Sequence, residues 1–354
     1  MEEEAVRGKL ARKEIIKTTK QMSKKELKIS ASRIKTKKTC SNIYFGRYHL
    51  RLPDETNNGA LMGTCIHTVF EHLTKEKHKK LFESILAART IGSSKLISRY
   101  VKNYMAKYNL PDECLAKIDG MVLTGLSNDF LCKGGQITGV ELKFDIKGRG
   151  YRIYGLIDRL VEYERGYVRI QDWKSSSKLF TDYELKESIQ AKMYALAART
   201  LRPNCKPIVD FLMLQFGGEG FTQRARFSDE ELNEFEEFLA KEYEEMSNFT
   251  EEDSVSDLAA NQGFPKPQEG FSGRLVCGRS NYPGEMKKDG SKPLWACSLK
   301  FKFDYFALCD DDGEVIKTSK KDDLVPKLEK GEFVIKKKYG GCPAFKNLAY
   351  NQKD

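Results

Sequence analysis

No stretch of this chain's 354 residues is apolar for anything near the 18 residues that read as a membrane-spanning helix. The N-terminal residues lack the apolar segment of a secretory signal, and Glu2, Glu3 and Glu4 oppose an acid-poor mitochondrial leader. No G-x-x-x-x-G-K-S/T run is present, so no ATP-driven motor is expected within the chain itself. No internal repeat is evident. The cysteines number nine, an odd count without a secretory signal, so a disulfide framework is not expected. These absences leave an intracellular, soluble protein of cytoplasm or nucleus, without a membrane partner. At this length it can bury a full core, and one large domain with extensions is expected.

Charge is abundant. The chain carries 61 basic and 51 acidic residues, a net charge of +10. The first 38 residues hold 13 Lys or Arg against five Glu, so most of the excess sits there. Residues 1–28 therefore read as a basic arm, suited to a phosphate backbone or acting only as a solvated tail. Lys35, Lys37 and Lys38 continue it and are candidate nucleic-acid contacts.

The segment GLIDRLVEYERGYVRIQDWKSSSK, residues 155–178, carries the strongest chemical signal. Leu156–Tyr163 and Tyr167–Ser175 are rich in β-branched and aromatic residues and predict two strands joined at Arg165-Gly166. Opposed residues in an antiparallel hairpin keep a constant index sum. A turn at Arg165 sets that sum at 330 and places Asp158 opposite Asp172. Lys174, two residues on, shares the face of Asp172. Facing carboxylates repel unless a cation lies between them, and oxygen ligands suit Mg²⁺ or Mn²⁺. A plain surface hairpin with an Asp–Lys pair is the alternative. Ser175 and Ser176, just beyond, can donate to phosphates or serve as ordinary loop residues.

The surroundings add to this. Glu141 lies on an earlier predicted strand, and a Lys-Gly-Arg-Gly turn follows at 147–150. Gln190 and Tyr194 are four apart on one face of a helix predicted over 182–200. His67 follows Gly63 near the start of another predicted helix. Together these residues resemble the RecB-like branch of the PD-(D/E)XK nuclease superfamily. The correspondence is a G-x-x-x-H helix, a strand Glu, a G-x-I-D strand, a D-x-K strand and a Q-x-x-x-Y helix, all in order. The likeness covers about residues 29–216. It implies that His67 joins Asp158 and Asp172 as a metal ligand. It also implies that Lys174, Glu141, Gln190 and Tyr194 belong to the catalytic set.

The fold so implied is α/β, a restriction-endonuclease-like core with a mixed β-sheet flanked by helices, a basic N-terminal arm and a C-terminal extension. Elements predicted from pattern agree. A helix near 60–88 precedes strands near 137–147, 151–162 and 167–175, then a helix over 182–200 and a buried strand over 207–219. An amphipathic helix over 228–246 starts at Ser228 with Glu231 completing a capping box. The expected divisions are 1–28, 29–250 and 251–354, the last opening with a polar linker.

Cys65, Cys114, Cys132 and Cys205 read as ordinary buried thiols. Residues 28–52 resemble the opening of RecB-like nucleases, where an early cysteine pairs with three late ones around an iron–sulfur cluster. Cys40 holds the early position, and Cys277, Cys297, Cys309 and Cys342 lie late. Their gaps of 20, 12 and 33 depart from the compact family spacing. A [4Fe–4S] cluster on Cys40, Cys277, Cys297 and Cys342, a structural Zn²⁺ or no ligand are the three readings. Lysines 300, 302 and 336–338 alternate with Phe301, Phe303, Tyr305 and Tyr339. That pattern suits either a single-stranded nucleic-acid path or strands with aromatics turned inward.

The resulting expectation is a Mg²⁺- or Mn²⁺-dependent DNA exonuclease of replication, recombination or repair. It would act on DNA ends or single strands, with a helicase or recombination partner. A structure-specific endonuclease and a non-catalytic nuclease-fold subunit are the alternatives. The presence of Asp158, Asp172 and Lys174 together favours an enzyme.

Overall fold

The turn between the two central strands sets the register of the sheet. Arg165 and Gly166 both adopt left-handed backbone, φ 59° and 76°, the conformation a tight hairpin needs at both central residues. Strands β2 (Tyr151–Tyr163) and β3 (Tyr167–Lys174) then pair from Glu162–Val168 to Arg159–Gln171, each pair summing to 330 as expected. The protein is described here from a computed structural model that covers residues 26–54, 57–262, 277, 285–290, 294, 296–324, 329 and 331–347. Most of the basic arm and residues 263–276 of the expected linker lie outside the described residues.

Five strands make the main sheet in the order β1-β2-β3-β4-β5. Strand β1 (Gly135–Gly148) pairs antiparallel with β2 through the predicted turn, where Gly150 has φ 84°. Strand β4 (Lys206–Met213) lies parallel to β3, and β5 (Thr222–Ala225), not foreseen, closes the edge antiparallel. The mixed sheet flanked by helices is the expected architecture.

Each face of the sheet has its own core. On one side pack α8 (Ile189–Leu201) and α9 (Asp229–Ser247), along with α1 (Ala31–Thr39) and α2 (Ser41–Tyr48). Alanines 191, 195, 197 and 198 let α8 lie close against Ile157, Ile170 and Val209. On the other side a helical layer packs against Trp173, Leu212 and Leu214. It contains α3 (Asn58–Thr74), α4 (Lys79–Ala88), α5 (Lys95–Lys107) and α6 (Glu113–Ser127). The helix expected over 60–88 is thus two. The break at 75–78 falls in Lys-Glu-Lys-His, where no apolar residue holds a helix to the core. The helix expected over 182–200 also divides, into α7 (Asp182–Lys186) and α8, because Ser188 starts a new cap on the Ala191 N–H. The predicted capping box at Ser228 and Glu231 is present.

The segments on either side of the sheet and its helices are tied to this body. Glu26 pairs with Lys147 and Arg152, Lys28 pairs with Asp145, and Ile29 bridges to Ile153. The arm therefore gives way to a docked segment before residue 28. The Ser41 hydroxyl donates to the Ser254 carbonyl at 2.8 Å, so the start of the expected linker is packed against α2. Strands β6 (Phe303–Cys309), β7 (Val315–Ser319) and β8 (Phe333–Tyr339) form a second sheet in the order β7-β6-β8. Tyr305 and Tyr339 are buried in its core, so the inward reading of these aromatics holds for them. No helix among the described residues is long and apolar enough to cross a membrane.

Candidate metal centre and active site

Strand alternation slips where β2 reaches its acidic residue. Ile157 and Leu160 both face the first core although they are three residues apart. The slip falls on Asp158 and Arg159, an irregularity of the kind that re-aims side chains near functional sites. Asp158 is buried, and its Oδ2 accepts the Trp173 N–H at 2.8 Å. Across β1, Glu141 has a left-handed φ of 48°, a conformation that costs a non-glycine residue about 1–3 kcal/mol. That backbone carries its carboxylate to Asp158 and to His67 of α3.

His67, Glu141 and Asp158 bring one ligand atom each within 4.8 Å of one another. The His67 Nδ1 lies 3.3 Å from Asp158 Oδ1, and its Nε2 lies 3.0 Å from the Trp173 carbonyl oxygen. Burial pushes the imidazole pKa down. The Asp158 hydrogen bond and the charges of Asp158, Asp172 and Glu141 outweigh burial, so it stands above its ordinary value. A protonated ring here donates to both oxygens, occupying the electrostatic place a cation would take. Glu141, by burial and the nearby Asp158 charge, has its carboxyl pushed up.

Asp172 stands beside this trio. Its Oδ1 accepts from Gln190 Nε2 and Tyr194 Oη, both at 2.9 Å. Its Oδ2 lies 2.7 Å from Lys174 Nζ, yet at an angle that makes no hydrogen bond, so this buried oxygen is left without one. Burial pushes the carboxyl pKa up despite Lys174. Lys174 also donates to Gln190 Oε1 at 2.9 Å and lies over the Phe211 ring. Gln190 and Tyr194, one helical turn apart on α8, thus lock both members of the Asp172–Lys174 pair. Three carboxylates, one of them with an oxygen that lacks a hydrogen bond, an imidazole and a peptide carbonyl form a donor set that fits Mg²⁺ or Mn²⁺. The residues of the trio differ from the expected metal set in one respect. Glu141 stands in the close group, and Asp172 is turned toward Lys174.

Arg159 was not foreseen, although a cation inside a strand of apolar pattern is a visible signal. It is 1 % exposed. Its guanidinium donates to Gln171 Oε1 at 2.7 Å and to the Phe130 carbonyl at 2.5 Å. It lies 4.9 Å from the ring centroids of both Phe130 and Trp173. This stack fixes Trp173, whose N–H and carbonyl meet Asp158 and His67.

The other candidates divide. Lys37 pairs with Glu242 and Glu245 of α9, and Lys38 pairs with Glu242 over the Phe238 ring. Their charge is taken up within the protein. Lys35 is exposed. The Ser175 hydroxyl packs close to Gly63, where an added Cβ would come within 2.9 Å. Ser176 bonds to Lys178 and shapes the loop. Cys40, Cys277, Cys297 and Cys342 line one small cavity together with Lys300 and Phe345. The Cys297 N–H donates to the Cys277 carbonyl and the Cys342 N–H to the Lys300 carbonyl, both at 3.3 Å. Burial pushes Cys297 up to about 12 and Cys342 to about 11. Cys309 faces the core of the second sheet instead.

The sequence matches the PD-(D/E)XK nuclease superfamily over residues 28–256. No curated protein matches it. Among solved structures, it is similar to a protein from Eubacterium rectale provisionally described as an exonuclease. The two share 14 % identity over 71 % of this chain and 94 % of that one, with a TM-score of 0.40. The protein SSO0001 shares 16 % identity over 54 % of this chain and 86 % of its own, with a TM-score of 0.25. Those structural likenesses are too distant to carry an argument. The family match spans well over half the chain, from the docked segment before α1 to just beyond α9, and includes every residue of the carboxylate site. The chain belongs to the PD-(D/E)XK nuclease superfamily.

Proposed function

We propose that the protein is a Mg²⁺- or Mn²⁺-dependent DNA exonuclease whose active site is built from His67, Glu141, Asp158, Asp172 and Lys174. The observation that carries this reading is the convergence of His67, Glu141 and Asp158 beside a buried Asp172–Lys174 pair. His67, Glu141 and Asp158 would hold the cation, with the Asp172 Oδ2 and the Trp173 carbonyl close by. When bound, a divalent cation supplies positive charge to the phosphate and acidity to water. Lys174 offsets negative charge developing on the phosphate, held in place by Asp172 and Gln190. Tyr194 and Gln190 keep Asp172 oriented as a carboxylate. Incubation of end-labelled linear DNA and covalently closed circles with Mg²⁺ tests the reading. Linear DNA should be degraded and closed circles spared. Rapid nicking of circles would favour a structure-specific endonuclease, and no cleavage of either would favour a non-catalytic DNA-binding subunit.

The second part of the proposal concerns the thiols. Cys40, Cys277, Cys297 and Cys342 would bind a [4Fe–4S] cluster that staples the start of α2 to the C-terminal extension. The support is their shared cavity. One zinc ion, with Zn–S of about 2.3 Å, would draw its thiolates to about 3.8 Å of each other. Among the described residues, the group gathered within 4.8 Å is His67, Glu141 and Asp158, and these thiols form none. A cluster of several irons spreads its thiolates more widely. Protein purified without oxygen should be brown and contain iron, and Cys342→Ser should lose it. Colourless protein with zinc would replace the cluster by a structural ion. Metal-free protein that is folded and cleaves with Mg²⁺ alone would sink both.

A further inference from the structure

Helix α5 carries Lys95, Arg99, Lys102 and Lys107 and no acidic residue. Ile97, Val101 and Met105 anchor it in the second core. Beside that buried face runs a second stripe with a spacing of four: Leu96, Tyr100, Tyr104 and the C-cap residue Tyr108. Residues four apart drift only about 40° around a helix, so the stripe is continuous. Leu96 is 43 % exposed and Tyr108 41 %, and Tyr100 and Tyr104 are half-buried. The three rings follow one another with centroids 6.2 and 4.6 Å apart. Lys107 Nζ lies 5.1 Å from the centre of the Tyr108 ring.

This ladder adjoins the carboxylate site. The Tyr104 hydroxyl lies near Thr64 and the Tyr100 hydroxyl near Thr68, so α5 runs antiparallel to α3. At about 100° per residue, Thr64 and Thr68 lie about 60° and 100° around α3 from His67. Thr64 is exposed, and Glu71, on the same arc, is half-exposed. An open surface therefore leads from His67 across one helix to the tyrosines.

We propose that the stripe Tyr100–Tyr104–Tyr108 is a binding track for single-stranded nucleic acid, with bases stacked on the rings and phosphates facing Arg99 and Lys107. The charge argues for a polyanion, because this helix has four cations and no acid of its own. The rings argue for a single strand, because a duplex hides its base faces, whereas every unpaired base offers one to an aromatic ring. The track deepens the nuclease reading, since it would lead a strand past His67, but its test does not depend on cleavage.

The test is equilibrium binding of the full chain, in EDTA, to a labelled oligothymidylate of about 16 nucleotides and to a duplex. Tyr108→Ala and Tyr104→Ala should each weaken single-strand binding about 5- to 100-fold, the range alanine substitution gives for a stacked base. Tyr108→Phe and Tyr104→Phe should bind as the wild type does, and duplex affinity should hardly move. Tyr108 is exposed enough for its alanine variant to fold, which keeps the outcome readable should Tyr104→Ala unfold. Unchanged single-strand affinity in Tyr108→Ala, equal losses in Phe and Ala variants, equal losses for duplex, or no single-strand binding by the wild type would each overturn the track. Failure of the active-site reading shows elsewhere, as absence of Mg²⁺-dependent cleavage.

Discussion

Lys174→Met removes the ammonium from Asp172 while keeping most of the hydrocarbon that packs on Phe211. Asp172 has 4 % of its side chain exposed and Lys174 23 %, at 2.7 Å separation. Breaking a buried ion pair by removing one partner costs about 3–5 kcal/mol. Water at the open end of Lys174 argues for the lower figure, about 3 kcal/mol. That cost depends on pH. Burial already holds the Asp172 carboxyl above its ordinary pKa, and loss of Lys174 raises it further. A carboxyl with a raised folded pKa costs nothing below its unfolded pKa and costs more as pH rises toward the folded one. At about 1.4 kcal/mol per unit, 3 kcal/mol corresponds to a further rise of about two units. Urea denaturation in EDTA should therefore show near-equal stability of variant and wild type at about pH 4 and the full deficit at neutral pH and above. Lys174→Met/Asp172→Asn should recover most of the deficit, since no charge is then stranded. Mg²⁺ should narrow the gap of the single variant by supplying the missing charge, without restoring cleavage. Equal stability of Lys174→Met and wild type in mildly alkaline EDTA, or a coupling to Asp172→Asn below about 0.5 kcal/mol, would refute the assignment of Lys174 as countercharge.

Asp158→Ala should abolish Mg²⁺-dependent cleavage, while DNA binding in the same buffer persists or tightens as repulsion of phosphate falls; near wild-type cleavage would remove the hairpin from the active site. His67, raised above its ordinary value mainly by Asp158, should stabilise the metal-free protein at acid pH, and that contribution should fade as pH rises through its folded pKa. Thermal midpoints of wild type and His67→Gln in EDTA should accordingly converge on the alkaline side, and Mg²⁺ affinity should rise over the same interval because the cation displaces a proton. Removing residues 1–25, with eight Lys/Arg and four Glu, deletes four net positive charges. The slope of log affinity against log salt for duplex DNA should then shrink by about 0.9 per lost phosphate contact, with cleavage at saturating DNA unchanged; an unaltered slope would mark the arm as a solvated tail or a protein-binding segment.

What could be read from the sequence is what short-range geometry controls. The pairing sum of 330 holds from Glu162–Val168 to Arg159–Gln171, where two left-handed residues at Arg165 and Gly166 set the register, but the ladder stops short of Asp158 and Asp172. The capping box at Ser228 and Glu231 is legible for the same reason, since four residues contain the whole interaction. Glu141 illustrates the limit. It lies on the predicted strand, but its approach to His67 and Asp158 depends on a left-handed backbone that no residue type announces. The cysteines show a second limit. Cys40 and Cys342 reach one cavity through docking of α2 against Ser254 and Tyr339, so their spacing along the chain carries no information about their spacing in space. Net charge shows a third. It counts Lys37 and Lys38, which spend their charge on Glu242, equally with Lys102 and Lys107, which face no acid on their own helix. Where a phosphate backbone can lie depends on which cations have an acid beside them, and those on α5, with none on their own helix, stand beside a row of aromatic rings.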